Sequence, residues 1–323
     1  MAAASRLASM LLSHAAHAST TWRRPCFQTL FTSMNAHAPP WPACSNVVQQ
    51  RWYSSAAAAA AAASSAQVSV VPCLKDNYAY VMHGGGVPVT VVDPGEAVPV
   101  ERELARLGVA PEYVLLTHHH DDHVGGVTRI KEAHPNVKVV YCEADRDRMP
   151  VSADVAVSPS STFALGDLQA EVIDTGGHTR HHVAFHIADA GIVFTGDALF
   201  VLGCGRLFEG TAEQMHESLA RLAALPPKTR VYAGHEYSVA NADFARAIDP
   251  KNAGLRARAN QLRVLRSAGM PTLPTTIESE RELNIFLRAS EKEIADSVSK
   301  SVGEEVSDPV NVFAALRRLK DNA

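Results

Sequence analysis

Short apolar stretches, many with alternating polar positions, dominate the chain from Gln67 to about Tyr237. The first three, "QVSVV" (67–71), "YAYVM" (78–82) and "VPVTVVD" (87–93), predict strands, and the third ends in the turn "DPG". The stretch "VERELARL" (100–107) has the apolar spacing of a helix. By the same criteria we predict further strands at 113–116, 137–141, 168–173, 182–187, 191–195 and 230–234, and helices at 125–134 and 211–225.

After about Tyr237 the strand pattern stops, and apolar residues recur at helical spacing. Four stretches have this spacing: 239–248, 252–269, 279–287 and 309–319. We therefore predict a β-rich domain over residues 67–237 and a helical domain over residues 238–323. A chain of 323 residues is long enough for two domains. No apolar stretch reaches the length of a membrane-spanning helix, so no membrane partner is expected.

The first 66 residues differ in charge from the rest of the chain. They contain four arginines and no acidic residue, whereas the remainder carries 26 basic and 34 acidic side chains. A serine-rich, acid-free N-terminus with arginines is typical of a transit peptide, and "RWYSS" (51–55) resembles a mitochondrial cleavage site. We predict that residues 1–66 are a transit peptide and linker for the mitochondrial matrix, with a plastid as the alternative. The acidic remainder argues against nucleic acid as a partner.

The densest group of polar residues lies in "LLTHHHDDHVGG" (115–126), directly after a predicted strand. Six successive positions, His118 to His123, are all His or Asp. A solvated polar loop is one interpretation, but loops at strand ends are also where functional residues are held on a rigid sheet. Three more loops have the same form, because a ligand-type residue follows a predicted strand with Gly nearby: His178, Asp197 and His235.

The number and type of these residues favour metal binding. One metal ion with an open position takes about three protein ligands, and imidazole with carboxylate suits zinc, iron or manganese. Even seven of these nine residues are too many for one ion, and seven suit two ions about 3.5–4 Å apart, bridged by a carboxylate. We therefore expect two divalent metal ions, zinc or alternatively iron or manganese.

Several motifs carry a resemblance to a known family. His118-x-His120-x-Asp122-His123 resembles the HxHxDH signature of the metallo-β-lactamase superfamily. More narrowly, "VPCLKDNYAY", "DPG", "GDALF", "GCGRLFEG", "GHEY" and "SDPVNVFAALRRLKD" are similar to the glyoxalase II (hydroxyacylglutathione hydrolase) family over residues 68–323. The resemblance implies an α+β fold, in which a metallo-β-lactamase-like αββα sandwich is followed by a C-terminal helical domain.

The resemblance also implies a division of the seven candidates between two ions. The two sets of three ligands and the bridging residue are His118, His120 and His178; Asp122, His123 and His235; and Asp197. Asp122 and Asp197 are thereby the expected catalytic carboxylates. His119 and Asp121 are spacers, His182 supports the ligands, and His181 is expected to be exposed.

The activity implied is hydrolysis of the thioester of S-D-lactoylglutathione and related 2-hydroxyacyl glutathiones, a reaction of methylglyoxal detoxification. The alternative is a mono-iron dioxygenase that acts on glutathione persulfide. Glutathione carries two carboxylates, so its site should supply cations and hydrogen-bond donors. The family implies five substrate-binding residues: Arg206, Phe208, Tyr237, Arg317 and Lys320. Phe208 stands where a tyrosine is common in the family. The alternative for Arg317 and Lys320 is that they are solvated cations at the end of a helix.

Overall fold

Two six-stranded sheets form the centre of residues 66–323, the part of the chain that the computed structural model describes. The first sheet has its strands in sequence order, antiparallel from the first to the third and parallel from the third to the sixth. These strands are β1 (Gln67–Cys73), β2 (Asn77–His83), β3 (Thr90–Val92), β4 (Tyr113–Leu115), β5 (Lys138–Cys142) and β6 (Val155–Val157).

The second sheet runs in the order β14-β13-β10-β9-β8-β7, and β11 pairs with β12 in a separate hairpin. The strands are β7 (Thr162–Leu165), β8 (Leu168–Asp174), β9 (Val183–Ile187), β10 (Ile192–Gly196), β11 (Leu199–Phe200), β12 (Gly203–Cys204), β13 (Arg230–Ala233) and β14 (Thr275–Thr276). Because β9 is antiparallel to both β8 and β10, and β13 is parallel to β10, the strands β8, β10 and β13 all point the same way. Their C-terminal ends therefore lie at one edge.

Helices cover the outer faces of the sheets and form the C-terminal region. They are α1 (Ala97–Leu107), α2 (Asp121–Val124), α3 (Val127–Ala133), α4 (Ala212–Ala223), α5 (Ser238–Ile248), α6 (Ala253–Ser267), α7 (Ile277–Leu283), α8 (Lys292–Val302) and α9 (Pro309–Asp321). The helix α4 begins at a capping box, in which Thr211 and Gln214 exchange side-chain-to-backbone hydrogen bonds. Among the described helices, none is both long and apolar enough to cross a bilayer.

Aromatic side chains show that the two sheets pack face to face. The ring of Tyr80 on β2 lies 5.6 Å from that of Phe194 on β10 and 5.2 Å from that of Tyr232 on β13. The other face of the first sheet packs against α1 and α3, where Val100 and Ile130 are fully buried. The helix α4 packs on β8 of the second sheet. Since both faces of each sheet are covered, the central strands are almost entirely apolar.

The predicted αββα sandwich followed by helices is confirmed. The short strands β6, β7, β11, β12 and β14 were not predicted, because two to four residues are too few to show an alternating pattern. The strand β14 lies inside the region predicted to be entirely helical and pairs with β13. The proposed division after Tyr237 stays a prediction. The transit-peptide and linker prediction for residues 1–66 falls, apart from Ala66, outside the described residues.

Candidate metal centre and substrate pocket

The four loops predicted from the sequence meet at one edge of the sandwich. The first follows β4, and the other three follow the parallel strands β8, β10 and β13. Within them, three sets of His and Asp side chains bring ligand atoms within 4.8 Å of one another. The sets are His118, His120 and His178; His118, His123 and Asp197; and Asp122, His123 and His235.

Asp197 lies at the middle of this cluster and is buried. Its Oδ1 atom is 3.4 Å from Nε2 of His123, and its Oδ2 atom is 3.4 Å from Nε2 of His178 and 3.3 Å from Nε2 of His235. Asp122 is half-buried at the rim, with Oδ2 3.4 Å from the same His235 nitrogen. The Asp197 carboxylate thus contacts side chains of both predicted ligand sets.

Hydrogen bonds on the outer side fix the orientation of His118 and His123. Thr117 Oγ1 donates to Asp93 Oδ2 at 2.7 Å, so the same hydroxyl oxygen is free to accept from His118 Nδ1 at 3.0 Å. Asp93 Oδ2 also accepts from His123 Nδ1 at 3.1 Å. In both rings the proton is therefore on Nδ1, and the lone pair of Nε2 faces the cluster.

Two further acceptors orient His178 and His235 in the same way. The carbonyl oxygen of Arg206 accepts from His178 Nδ1 at 2.9 Å. The carboxylate of Asp76 accepts from His235 Nδ1 at 2.9 Å. Ligand histidines in metal sites have this arrangement, with the outer nitrogen donating to a carboxylate or carbonyl. No role was predicted for Asp76 or Asp93, although they lie in the motifs "VPCLKDNYAY" and "DPG".

The polar atoms that face the cluster are suited to a cation. Among the described residues, His123 Nε2 and Asp197 Oδ1 are buried without a hydrogen-bond partner. Burial would raise the pKa of Asp197, but His123 and His235 hold that pKa well below its usual range. Burial would lower the pKa of His235, whereas hydrogen bonds to Asp122 and Asp197 raise it to about 11. The buried carboxylates therefore need positive charge beside them, which a divalent metal would supply in place of a proton.

The neighbouring histidines lie outside this group of ligand atoms. The ring of His119 points to Asp145 and Arg148, at 3.2 and 3.0 Å. His182 is fully buried, and its Nε2 accepts from the backbone N–H of Asp197 at 3.1 Å. His181, predicted to be exposed, is half-buried. The His119 ring thus turns away from the cluster, and His182 holds the backbone of Asp197.

Gly234 allows the last of the four loops to approach the cluster closely. A Cβ atom at this position would overlap Asp197 Oδ1 and come within 2.7 Å of His123 Cε1. Any larger residue would have to displace the carboxylate that lies between the two ligand sets. The Gly beside the His in "AGHEY" is therefore required by packing.

A pocket of about 660 Å³ opens beside the cluster. The ligand-type side chains on its wall are His120, Asp122, His178, Asp197 and His235. The five residues predicted to bind substrate also line it: Arg206, Phe208, Tyr237, Arg317 and Lys320. His118 and His123 lie beneath the wall, fully buried. The fold therefore brings the predicted substrate residues of the C-terminal helix to the predicted metal ligands.

The aromatic residues of the pocket contact the histidines that are predicted to be ligands. The Phe208 side chain is 62% exposed, and its ring lies edge-on to His120 at 5.7 Å and His178 at 5.2 Å. Tyr237 stacks flat on His235, with 4.7 Å between ring centroids. Phe208 thus presents an apolar face, without a hydroxyl, directly above the cluster.

The three cations differ in how freely they reach the pocket. Arg206 has an exposed side chain, 3.5 Å from Asp321. Lys320 donates to the carbonyl of Ala240 at 3.2 Å, and burial together with the Arg317 and Arg206 charges lowers its pKa. Arg317 is buried, and its guanidinium donates to the carbonyl of Cys204 and pairs with Asp321.

Sequence profiles of two families match the chain. The profile of the metallo-β-lactamase superfamily matches residues 75–235, and that of the hydroxyacylglutathione hydrolase C-terminus matches residues 236–323. A hydroxyacylglutathione hydrolase of Ruegeria pomeroyi is 44% identical over 257 residues, which cover 79% of this chain and 98% of the relative. One of Xanthomonas axonopodis is 45% identical over 251 residues, with 78% and 96% covered.

This chain belongs to the hydroxyacylglutathione hydrolase family. Membership implies divalent metal ions at the His and Asp cluster. Two solved structures share the fold of this hydroxyacylglutathione hydrolase family member. They are the BLEG-1 B3 metallo-β-lactamase (22% identity, TM-score 0.54, 68% of this chain and 99% of that one) and ETHE1 from Myxococcus xanthus (24%, 0.51, 79% and 97%). At these identities the likeness concerns the fold alone.

The predicted mitochondrial location, with its plastid alternative, is wrong. The similar hydroxyacylglutathione hydrolases are from bacteria, which have neither organelle. A transit peptide is not supported by these relatives. The prediction failed because it rested on net charge, that is, on a few arginines without acidic residues. Many N-terminal segments share this composition, so it does not identify a targeting signal.

Proposed function

We propose that this chain hydrolyses S-D-lactoylglutathione and related 2-hydroxyacyl glutathiones to the free 2-hydroxy acid and glutathione. The oxygen of water forms a bond to the thioester carbonyl carbon, the carbon–sulfur bond breaks, and the sulfur leaves as a thiolate that takes up a proton. One observation carries the proposal: a single pocket joins the His and Asp cluster to the basic end of α9. The identity to bacterial hydroxyacylglutathione hydrolases over nearly their full length supports it.

The donor set fits two divalent ions, zinc or alternatively iron or manganese. The residues that would hold them are His118, His120 and His178 for one ion, Asp122, His123 and His235 for the other, and Asp197 for both. Divalent ions supply Lewis acidity and bring the pKa of water towards neutrality. The chain contributes rigidity, because the Nδ1 hydrogen bonds hold the imidazoles in one tautomer and orientation.

Asp122 and Asp197 act in this proposal as ligands and as fixed negative charge. Asp122 Oδ2 accepts from the Asn77 side chain at 2.8 Å and lies beside His235. Burial would raise the pKa of Asp122, but His235, His123 and Asn77 hold it well below its usual range. Asp122 is therefore a poor proton acceptor. A strong general acid is not required, because a thiolate is a good leaving group.

The basic side of the pocket would bind the carboxylates of glutathione. Arg206 and Lys320 provide donors at its wall, and Arg317 contributes charge from a buried position. Phe208 and Tyr237 provide apolar and aromatic surface between these cations and the cluster. In this proposal residues 67–237 form the catalytic domain, and residues 238–323 form the helical substrate-binding domain.

The test is hydrolysis of S-D-lactoylglutathione by the purified full chain, with elemental analysis of the same sample. We expect thioester cleavage with about two metal ions per chain. The matched substrate is the D-lactoyl thioester of N-acetylcysteamine, which lacks both glutathione carboxylates and should have a much higher KM. One iron per chain, with oxygen uptake on glutathione persulfide and no thioester cleavage, would overturn the proposal in favour of the dioxygenase.

A further inference from the structure

Two side chains of the C-terminal region, Glu280 on α7 and Asn284 directly after it, hydrogen-bond to the backbone of the β11–β12 hairpin. The backbone N–H of Leu202 donates to Glu280 Oε2 at 2.8 Å. The side-chain amide of Asn284 donates to the carbonyls of Gly203 at 3.0 Å and Phe200 at 3.4 Å. These bonds join residues about 80 positions apart in the chain, so they depend on tertiary structure and not on local sequence.

Glu280 and Asn284 are fully buried and have their polar groups satisfied. Asn284 Nδ2 also donates to Glu280 Oε2 at 3.0 Å, and Thr275 Oγ1 donates to Glu280 Oε1 at 2.8 Å. The Asn284 carbonyl accepts from the backbone N–H of Phe286 at 3.1 Å. We call Glu280 and Asn284 the hairpin clamp. A buried carboxylate with its polar groups satisfied in this way is rarely present for stability alone, because its desolvation is costly.

The turn of the hairpin depends on support from outside. Leu202 has a φ of +56°, in the left-handed region that a branched apolar residue seldom adopts. Its N–H is the one that Glu280 accepts. A second side chain, Asn241, donates to the carbonyl of Val201 at 3.1 Å. Bonds to the helical region thus hold the turn in a conformation that its own sequence disfavours.

Both ends of the hairpin lead into the candidate metal centre. Asp197 lies two residues before β11. Arg206, whose carbonyl oxygen orients His178, lies two residues after β12. The backbone N–H of Gly205 donates to the carbonyl of Ala198 at 3.2 Å and joins the two ends. A displacement of the hairpin would therefore move a predicted bridging carboxylate and the acceptor that orients a predicted ligand.

We propose that Glu280 and Asn284 are positioning residues for the metal centre, which hold the β11–β12 hairpin so that Asp197 and the Arg206 carbonyl keep their places. The inference rests on the proposed function where it is tested by kcat and KM. Where it is tested by zinc affinity, it rests only on the predicted ligand residues of the chain. It assigns the helical region a second role besides substrate binding.

The experiment compares Glu280→Ala, Asn284→Ala and Glu280→Gln with the unmodified chain. We measure the affinity for zinc by competition with a chromophoric chelator, and kcat and KM separately with S-D-lactoylglutathione. Each alanine variant should lose about tenfold in zinc affinity and in kcat, with KM changed less than about threefold. Glu280→Gln should stay within about twofold of the unmodified chain, because its carbonyl accepts from Leu202 and its amide donates to Thr275.

Asn252→Ala is the matched control for stability. Asn252 caps α6 by accepting from the backbone N–H of Leu255 at 2.9 Å, so its loss also removes a side-chain-to-backbone bond of the helical region. Its zinc affinity and kcat should be unchanged at a similar loss of Tm. If an alanine variant does not fold, Asn284→Ser replaces it, with the same expected losses.

The outcomes separate this inference from the proposed function. Unchanged zinc affinity and kcat in folded Glu280→Ala and Asn284→Ala, or losses that Asn252→Ala reproduces, would overturn the clamp. Failure of Glu280→Gln to restore the unmodified values would also overturn it. If the unmodified chain binds zinc but leaves the thioester intact, the proposed function fails, while the zinc readout still decides the clamp.

Discussion

The carboxylate of Asp76 lies 2.9 Å from Nδ1 of His235, although 159 positions separate the two residues in the chain. The adjacent residue Asn77 pairs with His235 in an isolated β-bridge, which brings the loop after β1 against the loop after β13. This contact turns Nε2 of His235 towards Asp122 and Asp197. The orientation of one predicted ligand is therefore set by the opposite end of the catalytic region.

Replacing Asp76 by Ala should weaken metal binding without removing a ligand. The His235 ring would lose the acceptor that fixes its tautomer, and such outer partners typically contribute 10–100-fold to metal affinity. The measurement is zinc affinity by chelator competition. Asp167→Ala, an exposed acid between β7 and β8, is the control and should leave the affinity unchanged. Equal affinities for the two variants would show that the Asp76 contact does not support a ligand.

Replacing Asp197 by Asn should reduce both metal content and turnover. Its two oxygens contact side chains of both predicted ligand sets, so a neutral amide would weaken the binding of both ions. We expect elemental analysis to show less than about half of the normal metal content, with kcat reduced more than about 100-fold. Loss of a single ion with the other fully retained would mean that Asp197 serves one site and does not bridge.

Lys320→Ala should raise KM with little change in kcat. A cation that holds a glutathione carboxylate equally in the ground state and the transition state contributes uniform binding. Loss of a charge-assisted hydrogen bond costs roughly 1.5–3 kcal/mol, so kcat/KM should fall by about one to two decades. Steady-state kinetics with S-D-lactoylglutathione give the answer, and metal content should stay normal. Lys300→Ala, an exposed lysine in the last turn of α8, should leave KM unchanged.

Arg317→Ala should differ from Lys320→Ala. Arg317 donates to the carbonyl of Cys204 at 2.8 Å and pairs with Asp321 at 3.0 Å, and its guanidinium lies over the ring of Phe286. These contacts connect it to the β11–β12 hairpin as well as to the pocket. We therefore expect KM to rise and kcat to fall together. A pure KM effect in steady-state kinetics would assign Arg317 to substrate binding alone.

Glu280 makes stability depend on pH in a direction that can be checked. Burial raises the pKa of Glu280 to about 7 from its ordinary value of 4.5, against the hydrogen bonds of Leu202, Thr275 and Asn284. Below pH 4.5 both the folded and the unfolded chain hold the proton, so the group has no effect. As pH rises to 7 the unfolded chain releases the proton first, and the folded state loses about 3 kcal/mol of stability.

The measurement is denaturant unfolding of the unmodified chain and Glu280→Gln at pH 5, 6, 7 and 8. The difference between the two cancels the pH dependence of every other group. The unmodified chain should lose stability relative to the variant between pH 5 and 7 and then level off. A constant difference across this range would show that Glu280 keeps the same charge in the folded and unfolded chains.

The sequence predicted the parts of the site that follow apolar or alternating stretches. The stretches at 113–116 and 168–173 predicted strands β4 and β8, and the predicted ligands His118 and His178 lie a few residues after them. Parallel strand ends meet at one edge, so convergence of the loops could be expected. The ring of His119, the predicted spacer, turns away from the cluster to Asp145, and its role stays a prediction.

Other parts of the site could not be predicted, because they depend on contacts between distant residues. Asp76 and Asp93 look like ordinary turn residues until the fold brings His235 and His123 beside them. The β11–β12 hairpin has only two residues in each strand, too few for a pattern. Glu280 lies in a stretch of helical spacing and looks like a solvated position, although it is fully buried.

The candidate ligands come from both sheets of the sandwich. His118, His120, Asp122 and His123 follow a strand of the first sheet, whereas His178, Asp197 and His235 follow strands of the second. Neither sheet alone carries either complete ligand set, so an ion bound by both would fasten the two layers together at this edge. Metal binding is then thermodynamically linked to the docking of one sheet on the other. Removal of the metal by a chelator should therefore lower the free energy of unfolding of the sandwich. The half-life of the protein would then depend on the supply of metal.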